Sequence, residues 1–161
     1  HSRNDYMNLV RNIKSKINNM AFSSDFIVGY PGETDYDFDQ TIDLIEHVGF
    51  ASSYSFKYSP RAGTQSSLKH LNVVNDNVSD LRLKKIQEIL NKQQSEFNLK
   101  FIDKNEEVLF TDKGKKNNQF VGRTKYLQPV HVLCNRNIIG KKLEVNLESL
   151  TSFSFHGKII N

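Results

Sequence analysis

Asp25-Phe26-Ile27-Val28-Gly29-Tyr30-Pro31-Gly32-Glu33-Thr34 is the stretch on which the fold turns. Its three consecutive apolar residues stop at a turn rich in Gly and Pro. Such a run reads as a short strand, and continuous apolar character suits a strand covered on both faces, as in a parallel sheet. Thr34 then caps a helix, and Asp37 three residues on completes a capping-box pattern. Asp35, Asp37 and Asp39 place negative charge at the positive helix end. Phe38, Ile42 and Ile45 give the buried stripe, and Gly49 ends the helix. A second strand runs through Ser53-Tyr54-Ser55-Phe56-Lys57-Tyr58 and stops before Pro60. Two strands joined by a crossover helix are parallel.

Outward from this unit, Asp5 reads as the cap of an earlier helix whose buried face is Leu9, Ile13, Ile17 and Met20. Residues 62–78 are polar and irregular, either a loop over a site or a linker. A long helix follows from about Ser79, its apolar side marked by Leu83, Ile86, Leu90, Phe97 and Phe101. From Asn105 the apolar period becomes two. Val108 with Phe110, Phe120-Val121, Val130 to Leu133, Leu143 to Leu147, and Phe153 to Phe155 read as five short strands. The expected fold class is therefore α/β then all-β, with residues 1–103 as one domain and 104–161 as a small OB-like antiparallel β-barrel.

The 161 residues are 37% hydrophobic and 25% charged, an ordinary globular composition. No apolar run approaches the ~20 residues of a membrane span. One cysteine, Cys134, excludes a disulfide framework and any multi-thiolate metal site built from this chain alone. The chain opens at His1 without Met and leads directly into a helix, the expected look of a piece of a longer protein. Residues 104–161 carry 10 basic against 5 acidic side chains. A basic module of this kind suits a polyanionic partner, and equally a solvated Lys-rich surface.

Three motifs carry chemistry. Gly29 to Thr34 lies at the C-terminal end of a strand, where ligands bind in α/β sheets. Gly29 and Gly32 would let a ligand approach the backbone; a tight strand-to-helix turn is the plainer alternative. No Gly-Lys-Ser/Thr follows, so this is not a Walker loop. Lys57-Tyr58-Ser59-Pro60-Arg61 ends the next strand and would share a rim with Glu33, as a pocket wall or as plain surface charge. Lys113, Lys115, Lys116, Arg123 and Lys125, interleaved with Phe120 and Tyr126, pair phosphate-binding cations with base-stacking rings. A solvated hairpin tip is the alternative. Cys134 reads as a packed thiol, and His1, His47, His70, His131 and His156 show no metal-ligand spacing.

The segments Asp25 to Thr34, Phe56 to Thr64, and Gly122-Arg123-Thr124, with Ser154-Phe155-His156-Gly157 near the end, together resemble the methylthiotransferase family of radical S-adenosylmethionine (SAM) enzymes. The resemblance spans essentially the whole chain. It implies that residues 1–103 are the C-terminal part of a partial (β/α) radical SAM barrel with a linking helix, and that 104–161 are an RNA-binding TRAM barrel. It also implies an intact enzyme with SAM and two [4Fe–4S] clusters, their cysteines upstream of His1, so that neither cofactor is expected on this piece, which alone is inactive. Ile27, Gly29, Gly32, Glu33, Lys57 and Arg61 would form the SAM rim; no catalytic or metal residue is expected here. Lys113, Lys115, Lys116, Phe120, Arg123 and Lys125 would hold RNA. Ala62-Gly63-Thr64 departs mildly from the family's Pro-Gly-Thr.

The implied reaction adds a methylthio group to C2 of N6-isopentenyladenosine beside the tRNA anticodon. The implied partners are the tRNA anticodon stem-loop and the rest of the same chain, in the cytoplasm, with no membrane. The alternatives are a stand-alone RNA-binding module, or an enzyme of this family acting on a ribosomal protein or on threonylcarbamoyladenosine tRNA. Gly122-Arg123-Thr124-Lys125-Tyr126 stays basic where the ribosomal-protein branch is more acidic, which favours RNA.

Overall fold

A computed structural model describes residues 2–64 and 72–160. His1, His70, and residues 65–71 of the expected polar loop lie outside the described residues. The chain divides into two compact units, His1–Gln94 and Ser95–Asn161. The expected boundary at 103/104 falls later than this division, which cuts the long helix and groups its last turn with the barrel.

The first unit contains α1 (Arg3–Lys16), β1 (Ser23–Val28), α2 (Asp35–Val48), β2 (Ser52–Lys57) and most of α3 (Asp76–Leu99). Strands β1 and β2 are parallel, with Ile27 opposite Phe56 and Val28 opposite Lys57. Thr34 is the N-cap of α2: its hydroxyl accepts from Asp37 N–H while Asp37 accepts from Thr34 N–H, the full capping box. Gly49 closes the helix in the left-handed region, φ 70°. Ser2, rather than Asp5, caps α1; Asp5 is the reciprocal partner three residues in.

Two expectations about burial are corrected. The inward face of α1 is Met7 and Val10, while Leu9, Ile17 and Met20 are exposed and the helix stops at Lys16. Counting a stripe from Leu9 chose the wrong phase by about one residue, roughly 100° around the helix. Strand β1 is covered on one face only: Phe26 and Val28 are buried and Ile27 is 58% exposed. On the covered side, Phe26, Val28, Ile45, Val48, Phe50, Ile86 and Leu90 form one core, with Phe26 and Phe50 edge to face at 5.3 Å. Gln93 ties α3 to this core by accepting from Phe50 N–H and donating to the Ile45 carbonyl.

The second unit is a closed barrel of β3 (Asn105–Lys113), β4 (Gln119–Arg123), β5 (Pro129–Leu133), β6 (Lys142–Leu150) and β7 (Phe155–Ile159), in the order β3-β4-β5-β7-β6. All pairs are antiparallel except β5 with β7, which closes the barrel in parallel. The expected all-antiparallel barrel is corrected at this seam. The fifth strand also begins later than expected: Phe155 points into the core and Phe153 is exposed. Val108, Phe110, Phe120, Val130, Val132, Val145, Leu147 and Phe155 fill the interior, as alternate residues of each strand must. Two glycines let strands approach. A Cβ on Gly122 would lie 2.5 Å from Val108, and one on Gly157 would lie 2.6 Å from the Asn146 carbonyl. No helix among the described residues is long and apolar enough to cross a membrane.

Candidate functional site

In the first unit, the turn after β1 is held from inside. Gly29 N–H donates to the Glu33 carboxylate at 2.8 Å, and Glu33 N–H donates to the Tyr30 carbonyl at 2.8 Å. Gly29 and Gly32 take φ of 72° and 88°, a region that glycine enters without strain. The close approach at Gly29 is made by the chain itself. A Cβ there would meet the Ser79 hydroxyl at 2.4 Å, so glycine is required for α3 to pack on the turn.

Glu33 is not a free rim carboxylate. Arg82, 6% exposed, donates to it at 2.7 Å, to the Glu33 carbonyl at 3.3 Å, and to Asp35 at 2.5 Å. The guanidinium also lies 5.3 Å from the Phe38 ring centroid. Burial opposes the Arg82 charge; the hydrogen bonds to Asp35 and Glu33 more than offset it and hold the guanidinium above its ordinary value. Sequence reading missed Arg82. The signal was there: Arg82 occupies the stripe of Ile86 and Leu90, and a charge within an apolar stripe needs a buried partner.

Lys57 does not reach Glu33. It pairs with Asp80 at 2.8 Å and Asp76 at 3.5 Å on α3, and the hydrogen bond to Asp80 raises its pKa. Arg61 is exposed. On the uncovered sheet face, Ile27, Phe56 (52% exposed) and Tyr54 (69%) form an apolar ledge, with Tyr54 and Phe56 stacked at 6.4 Å. Tyr30 and Tyr58 meet edge to face at 5.3 Å beside the same turn. The structure thus gathers Ile27, Gly29, Gly32, Glu33 and Lys57 at one strand end, but commits Glu33 and Lys57 to ion pairs with α3.

In the second unit, the β3–β4 hairpin projects its lysines. Gly114 N–H donates to the Gln119 carbonyl at 2.7 Å, and Lys116 N–H donates to the Gln119 side chain at 3.2 Å. Lys113, Lys115 and Lys116 are all exposed. Arg123 is exposed and donates to the Leu127 carbonyl at 2.9 Å, bracing the next turn. Lys125 pairs loosely with Glu106 at 3.6 Å and lies over Tyr126. Phe120, expected as a stacking ring on this face, is instead a core residue at 6% exposure. Alternation explains it: Val121 is the outward residue and Phe120 the inward one. Tyr126 is no free platform either, being packed on Phe97 and Phe101 at 5.5 and 5.2 Å. Cys134 is half-buried beside the barrel core, a packed thiol as expected.

A closed five-stranded barrel with a basic hairpin defines the class of the second unit: residues 102–160 match the family described as TRAM domain. Over 132 residues, 82% of this chain, the sequence is 47% identical to tRNA-2-methylthio-N(6)-dimethylallyladenosine synthase of Ehrlichia ruminantium strain Welgevonden, covering 29% of that protein. Identity and coverage are the same for the synthase of that name in strain Gardel. The chain therefore spans under a third of the length of the curated relatives it matches. The family resemblance read from the sequence is borne out over the aligned residues, and so is the TRAM barrel.

Proposed function

We propose that this chain is the C-terminal portion of a radical SAM tRNA methylthiotransferase that adds a methylthio group to C2 of N6-isopentenyladenosine beside the anticodon. One observation carries the reading. The 132 aligned residues exceed either compact unit alone, so the likeness to the synthases reaches into both units of the chain. The second unit supplies the RNA grip through Lys113, Lys115, Lys116, Arg123 and Lys125, acting on the anticodon stem-loop. The enzyme works in the cytoplasm.

The first unit supplies one wall of the SAM pocket. Its residues fit that task in one respect: the Ile27–Phe56 ledge is apolar, uncovered, and lies beside the glycine-bearing turn, as an adenine ring requires. Glu33 acts through the backbone, fixing Gly29 N–H, and Lys57 and Arg61 edge the rim. The cofactor, when bound beside its iron–sulfur cluster, supplies the radical chemistry. The protein's part here is position and exclusion of water. The lone cysteine cannot ligate a [4Fe–4S] cluster, so this portion by itself is inactive and its cluster ligands belong to other parts of the protein.

Reading the gene upstream of the codon for His1 tests this. The expected finding is a Cys-x3-Cys-x2-Cys motif with three further cysteines before it. An upstream stretch without them leaves an RNA-binding protein and removes the enzyme.

A further inference from the structure

The outer face of β4, β5 and β7 carries a feature that the lysine hairpin does not use. A groove of about 260 Å³ is lined by Gln119, His131, Leu133, Glu148, His156 and Lys158. Strand alternation builds it. Val130, Val132 and Phe155 point into the core, so His131, Leu133, His156 and Lys158 point out. The parallel seam sets His131 opposite His156, with ring centroids 5.7 Å apart. Gly157 lets β7 nest on β6 and so fixes His156 and Lys158 on either side of it.

Three properties point to a ligand. Leu133 is 70% exposed at the groove edge. The His131 Nδ1 is buried with no hydrogen-bond partner among the described residues, and a native fold rarely leaves such an atom unused. Burial, and then the nearby His156, hold the His131 pKa below its ordinary value, so the ring is neutral at pH 7 and presents an uncharged planar face. The groove falls just below the roughly 300–1,000 Å³ of drug-sized sites. It is sized for a fragment, and Glu148 disfavours an anionic one.

We propose that this groove is a nucleotide subsite that takes one unpaired RNA base. The His131 and His156 rings are tilted 43° to each other, so the base stacks on one imidazole face while the other ring and Leu133 close its edge. Gln119 and Glu148 meet its polar edge, and Lys158 meets the adjoining phosphate. Gln119 also stands at the foot of the lysine hairpin, its side chain accepting from Lys116 N–H, so a strand leaving the groove runs onto the cations. The proposal rests on the RNA-binding reading of this barrel and names the part of the RNA it selects: an unstacked base in place of a paired one.

The test uses the whole 161-residue chain, a fluorescein-labelled RNA hairpin with an unpaired loop, and a blunt RNA duplex of equal length. Leu133→Ser combined with His156→Gln is expected to weaken looped-RNA binding about tenfold, the worth of one stacked base. Duplex binding and the salt slope stay unchanged. Lys115→Ala with Lys116→Ala weakens both RNAs and flattens both slopes. In the wild-type chain, the imidazole ¹⁵N signals of His131 and His156 move with looped RNA and not with duplex, a readout that needs no variant. Equal loss on both RNAs, no loss, or unmoved imidazole signals while the wild type binds would overturn the subsite alone. Failure of the wild type to bind either RNA overturns the RNA-binding reading and the subsite with it.

Discussion

Arg82 is the residue on which the first unit's turn depends. Its side chain is 7% exposed and faces Glu33 at 10%, so removing the cation leaves a nearly buried carboxylate uncompensated. Arg82→Met is expected to cost about 3 kcal/mol or more in chemical denaturation of the chain. Adding Glu33→Gln to that variant should recover part of the loss, because the orphaned charge goes with it. A loss under 1 kcal/mol would show that Asp35, which is 95% exposed, was the only partner that counted. His131 belongs at the same scale. Its folded pKa lies below the unfolded value of 6.5, because burial and then His156 disfavour its charge. The unfolded chain therefore binds the proton first. The stability His131 contributes is fully present above pH 6.5 and is lost as pH falls from there through the lowered folded value. Barrel melting followed between pH 8 and pH 5 should show this fall, and His131→Gln should reduce it. An unchanged profile in the variant would assign the fall to other groups.

Among the elements, α2 was the most legible in the sequence. Thr34, Asp37 and Gly49 each specify local backbone chemistry, and all three act as read. Thr34→Ala should cost about 1 kcal/mol through the lost cap, measured by urea denaturation. The barrel strands were legible as a period of two, but their outward residues were not. Phe120 and Val121 are adjacent and both apolar, so only pairing with β3 and β5 decides which one enters the core. Helix α1 failed for the same kind of reason: Met7, Val10, Leu9 and Ile13 offer two overlapping stripes, and packing into the first unit's core selects the first. The Arg82 contact joins residues 49 positions apart: the apolar stripe of α3 says that the cation needs a partner, and only the fold says which one. Barrel closure rests on the inward set. Phe110 is fully buried, and Phe110→Ala should cost about 3–5 kcal/mol and broaden the barrel's thermal transition.

Across the molecule, the basic excess read in residues 104–161 coincides with the TRAM match over 102–160. If Lys115, Lys116 and Arg123 each neutralise a phosphate, replacing all three by Ala should lower the slope of log affinity against log salt by about two. An unchanged slope would move the RNA interface elsewhere on the chain. The uncovered ledge of Ile27, Tyr54 and Phe56 is the counterpart in the first unit. Among the described residues this two-stranded parallel sheet leaves one apolar face exposed, and an exposed apolar patch marks an interaction surface.

We propose that the protein to which this chain belongs methylthiolates tRNA. Mass spectrometry of tRNA nucleosides from cells lacking the gene, with and without the intact gene restored, tests this. Loss of 2-methylthio-N6-isopentenyladenosine with accumulation of N6-isopentenyladenosine, reversed by the restored gene, is the expected result. An unchanged nucleoside profile in the deletion would contradict the claim.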